Sequence, residues 1–153
     1  MVKTIFSILF MTALLFGYQK GDVVSKDIAT KLNLQKNKVY VIDFFASWCE
    51  SCKKEMPHLS SIYNKIDKKR VGFIGVDVDE DINQGKNFQK ELRDANKLTF
   101  KVIDDPKNEI IKEFNPIGMP ALFFIKENRV VEMILGARDN IDEEVDEILK
   151  GLL

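Results

Sequence analysis

The sequence has little of what a structural disulfide framework or a metal centre needs. Its 153 residues include two cysteines and one histidine, and both cysteines stand in a single C-x-x-C segment. A disulfide-stabilised secreted scaffold uses more cysteines, spread along the chain, and a structural zinc site takes four Cys or His ligands. Cross-linking so short a loop also contributes little stability. We therefore expect no metal and no cofactor, and a chemical role for the two cysteines.

An excess of basic charge is also absent. Lys and Arg total 23 against 24 Asp and Glu, which gives a formal net charge of -1. A nucleic-acid-binding protein needs a basic surface, so we expect no nucleic-acid partner. No Gly/Ser/Pro-rich linker and no repeat interrupts the chain after the first twenty residues or so. The length is that of one domain with one well-buried core.

The N-terminal region differs from the rest of the chain. Lys3 precedes an uncharged, mostly apolar stretch over residues 4–18, TIFSILFMTALLFGY. A positive start followed by a short apolar region is typical of a signal sequence, and the stretch is shorter than the roughly 20 apolar residues of a comfortable transmembrane helix. We expect residues 1–18 to be a signal sequence or an N-terminal membrane anchor, and residues 19–153 to form the folded domain. An amphiphilic N-terminal helix of a cytosolic protein is the alternative.

The apolar pattern alternates between strands and helices along the rest of the chain. The run 39–45 is apolar without a break except for one acid, which is typical of a central strand covered on both faces. Alternating strands and helices predict parallel pairing through crossovers, and a closing hairpin adds an antiparallel edge. We predict an α/β fold with a mixed central sheet and helices on both faces. The predicted strands are 39–45, 71–78, 98–103, 121–126 and 129–135, and the predicted helices are 50–65, 83–95, 109–114 and one from about Ile141, capped by Asp139 or Asn140.

The position of the cysteines indicates redox chemistry. Cys49 stands where a buried strand passes into a helix, so free N–H groups and the positive end of the helix dipole favour its thiolate. Cys52 lies one helical turn later, on the same face and deeper. Cys49 is therefore expected to attack a disulfide in a partner, and Cys52 to attack the resulting mixed disulfide and release the partner. Run backwards, the same pair would be an oxidant.

A longer segment resembles a known family. Residues 43–57, DFFASWCESCKKEMP, are similar to the active-site segment of thioredoxin-like proteins, and in particular to the exported branch related to TlpA and ResA, which includes cytochrome c maturation reductases. The resemblance continues through the loop NPIGMP at 115–120 and the strand after it. It covers roughly residues 38–150 and implies a thioredoxin fold.

The resemblance assigns roles to further residues. Pro120 matches the family's cis-proline opposite the cysteines, which leaves the backbone of Met119 able to pair with an extended substrate. Asp43, the acid inside the first strand, matches the buried acid that assists Cys52; without a partner its pKa would rise, and the alternative is a strand-end residue that reaches solvent. Glu55 matches an acidic position of the ResA-like branch, and an exposed glutamate on a Lys-rich face is the alternative.

Three residues around the cysteines bear on substrate binding and redox direction. Trp48 is either a core anchor or a substrate platform. Glu50 and Ser51 are the two variable positions, and Ser51 replaces a proline common in the family. Ser51 keeps an N–H and adds a hydroxyl near the sulfur, which should raise the redox potential, while the charge of Glu50 opposes that effect. The direction of electron flow therefore stays open.

The expected function is a thiol-disulfide oxidoreductase of the bacterial envelope, in the periplasm or on the outer face of the cytoplasmic membrane. The resemblance implies that it reduces disulfides of exported proteins, such as the haem-attachment cysteines of apocytochrome c. A membrane-bound electron donor would then have to re-reduce Cys49 and Cys52. The alternatives are a disulfide oxidase or isomerase and, in another class, a copper-binding chaperone that uses both thiolates and His58.

Overall fold

A computed structural model describes residues 16–153. The predicted signal or anchor segment lies outside the described residues except for its last three positions. The helices are α1 (Lys26–Lys31), α2 (Glu50–Lys65), α3 (Ile82–Asp94), α4 (Glu109–Phe114) and α5 (Ile141–Leu152), and the strands are β1 (Val39–Phe45), β2 (Val71–Asp77), β3 (Lys101–Asp104), β4 (Ala121–Lys126) and β5 (Arg129–Leu135). None of the helices within this range is long and apolar enough to span a membrane.

The five strands form one mixed sheet in the order β3-β2-β1-β4-β5. Strands β1, β2 and β3 are parallel, β4 runs antiparallel to β1, and β5 closes a hairpin with β4. β1 is buried along its whole length, as its unbroken apolarity predicts for a central strand. The predicted α/β fold with a mixed sheet is confirmed.

The helices bury their apolar sides against the two faces of the sheet and create two cores. On one face, α2, α3 and α5 cover Val39, Val41 and Phe45 of β1. On the other face, α1 and α4 cover Tyr40, Ile42 and Phe44. Alternate residues of a strand point to opposite faces, so Asp43 lies on the α2 face, in the same layer as the cysteines.

Two local predictions differ from the structure. The stretch before β1 contains a helix, α1, which starts at the N-cap Ser25. One helical turn carries only Ile28 and Leu32 into the core, too few apolar residues for the periodicity to show. β3 begins at Lys101 rather than Leu98, because Thr99 donates its N–H to Ser60 Oγ instead of pairing with β2.

The segment before α1 lies along the outer edge of β5. Gly21 and Val24 donate their N–H groups to the carbonyls of Val130 and Asn128, and Val130 donates in return to Asp22. Further towards the N terminus, the Tyr18 ring packs edge-on against Phe114 of α4. The described part of the chain is therefore in contact with the domain from its first residues onwards.

Candidate active site

The two cysteines lie at the point where β1 ends and α2 begins. Cys49 is the N-cap of α2 and Cys52 belongs to its first turn. They are joined by a disulfide, with their Cα atoms 5.3 Å apart. Both residues are buried among the side chains of the α2 core, Cys49 at 8% exposure and Cys52 at 2%. Cys52 is the deeper of the two, as the sequence predicts.

The two sulfurs have opposite hydrogen-bonding surroundings. Cys49 Sγ accepts the N–H of Cys52 at 3.3 Å, at the positive end of a 16-residue helix, and both features favour a thiolate. Cys52 Sγ instead lies 3.9 Å from the carbonyl oxygen of Phe44. In the reduced protein a thiol can donate to that carbonyl, whereas a thiolate would be repelled by it. The surroundings therefore favour Cys49 as nucleophile and a protonated Cys52.

Asp43 is buried at 3% exposure, and its carboxyl group has no hydrogen-bond partner within residues 16–153. Burial, followed by the nearby charge of Glu55, raises the pKa of Asp43 well above its ordinary value. The alternative of a strand-end residue that reaches solvent is wrong. The group has the properties of a proton carrier.

Glu55 is also buried, at 7% exposure, so the alternative of an exposed glutamate on a Lys-rich face is wrong as well. Desolvation raises the pKa of Glu55 to about 7; the charges of His58 and Arg138 oppose the rise and that of Glu144 adds to it. Glu55 lies three residues after Cys52, and residues at this spacing are neighbours on a helix. A carboxyl group with a pKa of about 7 next to Cys52 is suited to general acid–base work.

The two residues between the cysteines face solvent. Glu50 is exposed and lies 3.6 Å from Lys53, an ion pair in contact with water that contributes little stability. Ser51 is exposed too. In the described structure the N–H that reaches Cys49 Sγ comes from Cys52 and not from Ser51. The effect of the serine on the redox potential therefore stays a prediction.

A groove of about 640 Å³ is lined by Trp48, the residue before Cys49, and by Pro116 and Met119 of the loop before β4. Trp48 is 63% exposed, so it is not a core anchor and its ring is free to contact a substrate. The Met119–Pro120 peptide bond is cis. Because Ala121 pairs with Phe44, Pro120 lies at the end of the sheet where β1 leads into the cysteine loop.

A network that sequence reasoning missed holds the cysteine loop from the neighbouring strand. Ser47, two residues before Cys49, donates both its N–H and its hydroxyl to the carboxylate of Asp79, each at 2.8 Å. Gln84 of α3 donates to the same hydroxyl at 2.8 Å. Asp79 follows the end of β2. In the sequence, the signal for this network is the alternation of acids with apolar residues at the end of a buried strand.

Asp77 extends this network into the core. Gln89 donates to it at 2.7 Å and the N–H of Asp79 donates at 3.0 Å. Burial raises the pKa of Asp77 to about 6 against the effect of these hydrogen bonds, and the Asp79 carboxylate adds to the rise. A Cβ on Gly85 of α3 would lie 2.7 Å from the Asp77 carboxylate, so a glycine is needed for α3 to pass this close.

His58 lies outside the groove, one turn beyond Glu55 on α2. Its Nδ1 lies 2.9 Å from one carboxylate oxygen of Asp142 and 3.0 Å from the other, and its side chain is 51% exposed. Within residues 16–153, no three His, Cys, Asp or Glu side chains come together as a metal site. The arrangement of the described residues can form and break a disulfide and can move a proton beside it.

The amino-acid sequence is similar to those of known proteins. A model of the AhpC/TSA family matches residues 17–134. The thiol-disulfide oxidoreductase ResA of Bacillus thuringiensis subsp. konkukian is 36% identical over 140 residues, which is 89% of this chain and 78% of the relative. The sporulation thiol-disulfide oxidoreductase A of Bacillus subtilis is 33% identical over 99 residues, 63% of this chain and 58% of the relative.

Solved structures share the same fold. A Chlorobium tepidum crystal structure, assigned to the thiol:disulfide interchange proteins DsbE, is 25% identical with a TM-score of 0.74, and the match covers 90% of this chain and all of that one. StoA from Bacillus subtilis is 28% identical with a TM-score of 0.61, covering 74% of this chain and 83% of that one.

Proposed function

We propose that this protein reduces disulfides of exported proteins. The proposal starts from its family: the chain belongs to the AhpC/TSA family of thioredoxin-like proteins and is a thiol-disulfide oxidoreductase. The substrates are protein disulfides, such as the haem-attachment cysteines of apocytochrome c that the resemblance to cytochrome c maturation reductases implies. The protein acts outside the cytoplasmic membrane. Residues 1–18 serve as its export signal or, through residues 4–18, as its membrane anchor.

The observation that carries the proposal is the asymmetry of the two sulfurs. Cys49 Sγ accepts an N–H at the start of α2, while Cys52 Sγ lies beside a carbonyl oxygen. In the proposed reaction the Cys49 thiolate attacks a substrate disulfide, so that a Cys49–substrate disulfide forms and one substrate thiolate leaves. Cys52 then loses its proton and attacks Cys49 Sγ. The Cys49–Cys52 disulfide forms and the second substrate thiolate leaves.

Asp43 and Glu55 handle the proton of Cys52 in this scheme. Both carboxyl groups are buried, and burial raises the pKa of each. The charge of Glu55 adds to the rise in the pKa of Asp43. Glu55, with a pKa of about 7, is the carboxylate available to accept a proton near neutral pH.

The groove is the proposed binding surface for the substrate. Trp48 and Met119 both line it. In the proposed complex the backbone of Met119 pairs with an extended segment of the substrate, and Glu50, Ser51 and Pro120 contact the substrate next to the cysteines. After each turnover the disulfide must be reduced again, and outside the cytoplasm the reductant is a membrane-bound donor of electrons.

A trapping experiment tests the substrate class. Cys52→Ser removes the resolving thiol, so substrates should stay attached to Cys49 in envelope extracts, while the Cys49→Ser variant serves as the matched control that captures nothing. Proteins released by a reductant from the first variant and not from the second are the substrates. An empty trap would contradict the proposal that the substrates are proteins.

The redox potential tests the direction of electron flow. A reductase should have a potential at or below those of glutathione pools, about −250 mV, whereas strong oxidants lie near about −120 mV. A value near the second figure would make the protein a disulfide oxidase. The measurement is the fraction of the disulfide form in a series of thiol–disulfide buffers.

A further inference from the structure

Three ionisable side chains form a line on α2, and His58 is the one nearest to solvent. Cys52, Glu55 and His58 follow one another at intervals of three residues, and each is next to the previous one on the helix surface. Their exposure rises in the same order, from 2% for Cys52 and 7% for Glu55 to a half-exposed imidazole. The line therefore leads from the resolving sulfur to solvent.

The imidazole is fixed from a different element. Asp142 lies in the first turn of α5, where the positive end of the helix dipole favours a carboxylate, and both of its oxygens lie within 3.0 Å of His58 Nδ1. An exposed pair of this kind adds at most about 1 kcal/mol to stability. The pair does fix the position of the imidazole ring, one helical turn from Glu55.

We propose that His58, held by Asp142, is a positioning residue for the reaction: it stands one helical turn from Glu55, on the solvent side, and stabilises the carboxylate that accepts the proton of Cys52. This inference rests on the role given to Glu55 under the proposed function.

The charged groups that face Glu55 come from four parts of the chain. His58 lies on the same helix as Glu55, and its charge opposes the rise in the pKa of Glu55. Arg138, in the loop before α5, acts in the same direction. Glu144 of α5 acts in the opposite sense and is partly compensated by Arg138, 3.6 Å away. From β1, the Asp43 carboxyl interacts with the Glu55 charge.

The step itself conserves atoms and electrons. The Cys52 S–H bond breaks and its proton passes to the Glu55 carboxylate. The Cys52 electron pair attacks Cys49 Sγ, the Cys49–Cys52 bond forms, and the substrate sulfur leaves with the electrons of its former bond to Cys49. Glu55 then returns the proton to solvent at the half-exposed end of the line. No oxidant other than the substrate disulfide is needed.

The test measures the Cys52 step alone across a range of pH. Reduced protein is mixed with an aromatic disulfide reagent: the first thiolate released reports the attack by Cys49, and the second reports the resolution by Cys52. His58→Gln should move the midpoint of the second phase upward by about half a pH unit, which corresponds to about a threefold loss of rate below the midpoint. Asp142→Asn should move it in the same direction by less.

Two further variants separate position and charge from general effects. His58→Lys keeps a cation at the site and should return the midpoint to the wild-type value or below it. Lys54→Gln removes one positive charge from an exposed residue adjacent to Glu55 in sequence, and should leave the profile unchanged. A shift with Lys54→Gln as large as that with His58→Gln, or the failure of His58→Lys to rescue, would overturn the inference.

Glu55→Gln distinguishes this inference from the proposed function. If Glu55→Gln abolishes the titration of the second phase but His58→Gln matches the wild type, the role of His58 is wrong and that of Glu55 stands. If Glu55→Gln leaves the second phase unchanged, the role of Glu55 fails, and that of His58 fails with it.

Discussion

Two pairs of buried acids lie on the same side of the sheet near the cysteines, and they differ in the donors around them. Asp77 and Asp79 receive hydrogen bonds from Gln89, from Ser47 and from backbone N–H groups. Asp43 and Glu55 have no hydrogen-bond donor within the described residues, so no hydrogen bond offsets the rise in pKa that desolvation causes at them, whereas hydrogen bonds partly offset the same rise at Asp77. Donors make a carboxylate a fixed structural element, whereas their absence leaves a group that readily takes up a proton.

The sharpest test of this difference is Asp43→Asn. Because burial raises the pKa of Asp43 well above its ordinary value, the folded state is penalised at neutral pH, where the unfolded chain ionises this group freely. Asparagine cannot ionise, so the variant should be at least as stable as the wild type at neutral pH. If the carboxyl group takes part in proton transfer, the Cys52 step should slow by about 1,000-fold. Release of the second thiolate measures the rate and urea unfolding measures the stability. A large loss of stability with little change in rate would reverse the two roles.

Glu55→Gln should alter how stability depends on pH. The pKa of Glu55 in the folded protein is about 7, above its ordinary 4.5, so the folded state binds the proton more tightly than the unfolded state. The free energy of unfolding should therefore fall as pH rises from about 4.5 to about 7.

The glutamine variant should remove a fall of about 3 kcal/mol over that range, at 1.36 kcal/mol per pKa unit. Urea unfolding of both proteins at several pH values measures it. The difference between wild type and variant isolates Glu55 from Asp77, which titrates lower. Parallel curves would show that Glu55 does not titrate there.

On the hydrogen-bonded side, Asp79→Ala should destabilise the protein by about 2 kcal/mol, because it leaves the N–H and the hydroxyl of Ser47 without their carboxylate. Ser47→Ala keeps the N–H bond to Asp79 and removes the hydroxyl, which donates to Asp79 and accepts from the exposed Gln84. It should cost about half as much. Urea unfolding compares the two variants. Equal losses would indicate that the hydroxyl carries the whole interaction.

The smallest expected effect concerns the close approach of α3. Alanine is a better helix former than glycine by about 1 kcal/mol, but a Cβ at Gly85 would lie 2.7 Å from the Asp77 carboxylate. Gly85→Ala should therefore destabilise the protein by about 1 kcal/mol net. Combined with Asp77→Ala, the same change should become neutral or stabilising, and a double-mutant cycle measures the coupling. Additive effects would mean that the two residues do not interact.

The sequence predicts the bounds of a helix or strand well where that element alone carries the whole apolar pattern. The bounds of α2, β4 and β5 agree with the prediction, because each has a long run of apolar residues at the right period or an unbroken apolar core. The position of the cysteine pair at the start of α2 and that of Asp43 inside β1 could be predicted for the same reason. α1 was not, because one turn with two core residues has too little periodicity to detect.

The rest of the site depends on contacts between distant residues. Ser47 and Asp79 are 32 positions apart, and only the parallel pairing of β1 with β2 brings them together. Glu55 stands next to two lysines in the sequence, and its burial follows from the packing of α5 and its preceding loop over α2. No local pattern contains that information.

The backbone hydrogen bonds between residues 21–24 and β5 have a consequence for the behaviour of the protein in concentrated solution. An open edge strand presents unpaired donors and acceptors that recruit strands of other chains. Here Gly21, Asp22 and Val24 already occupy these groups, and Arg129 donates to the Gly21 carbonyl from the strand itself. A chain shortened to Lys26 would lose these hydrogen bonds and present the backbone groups of the β5 edge to other chains.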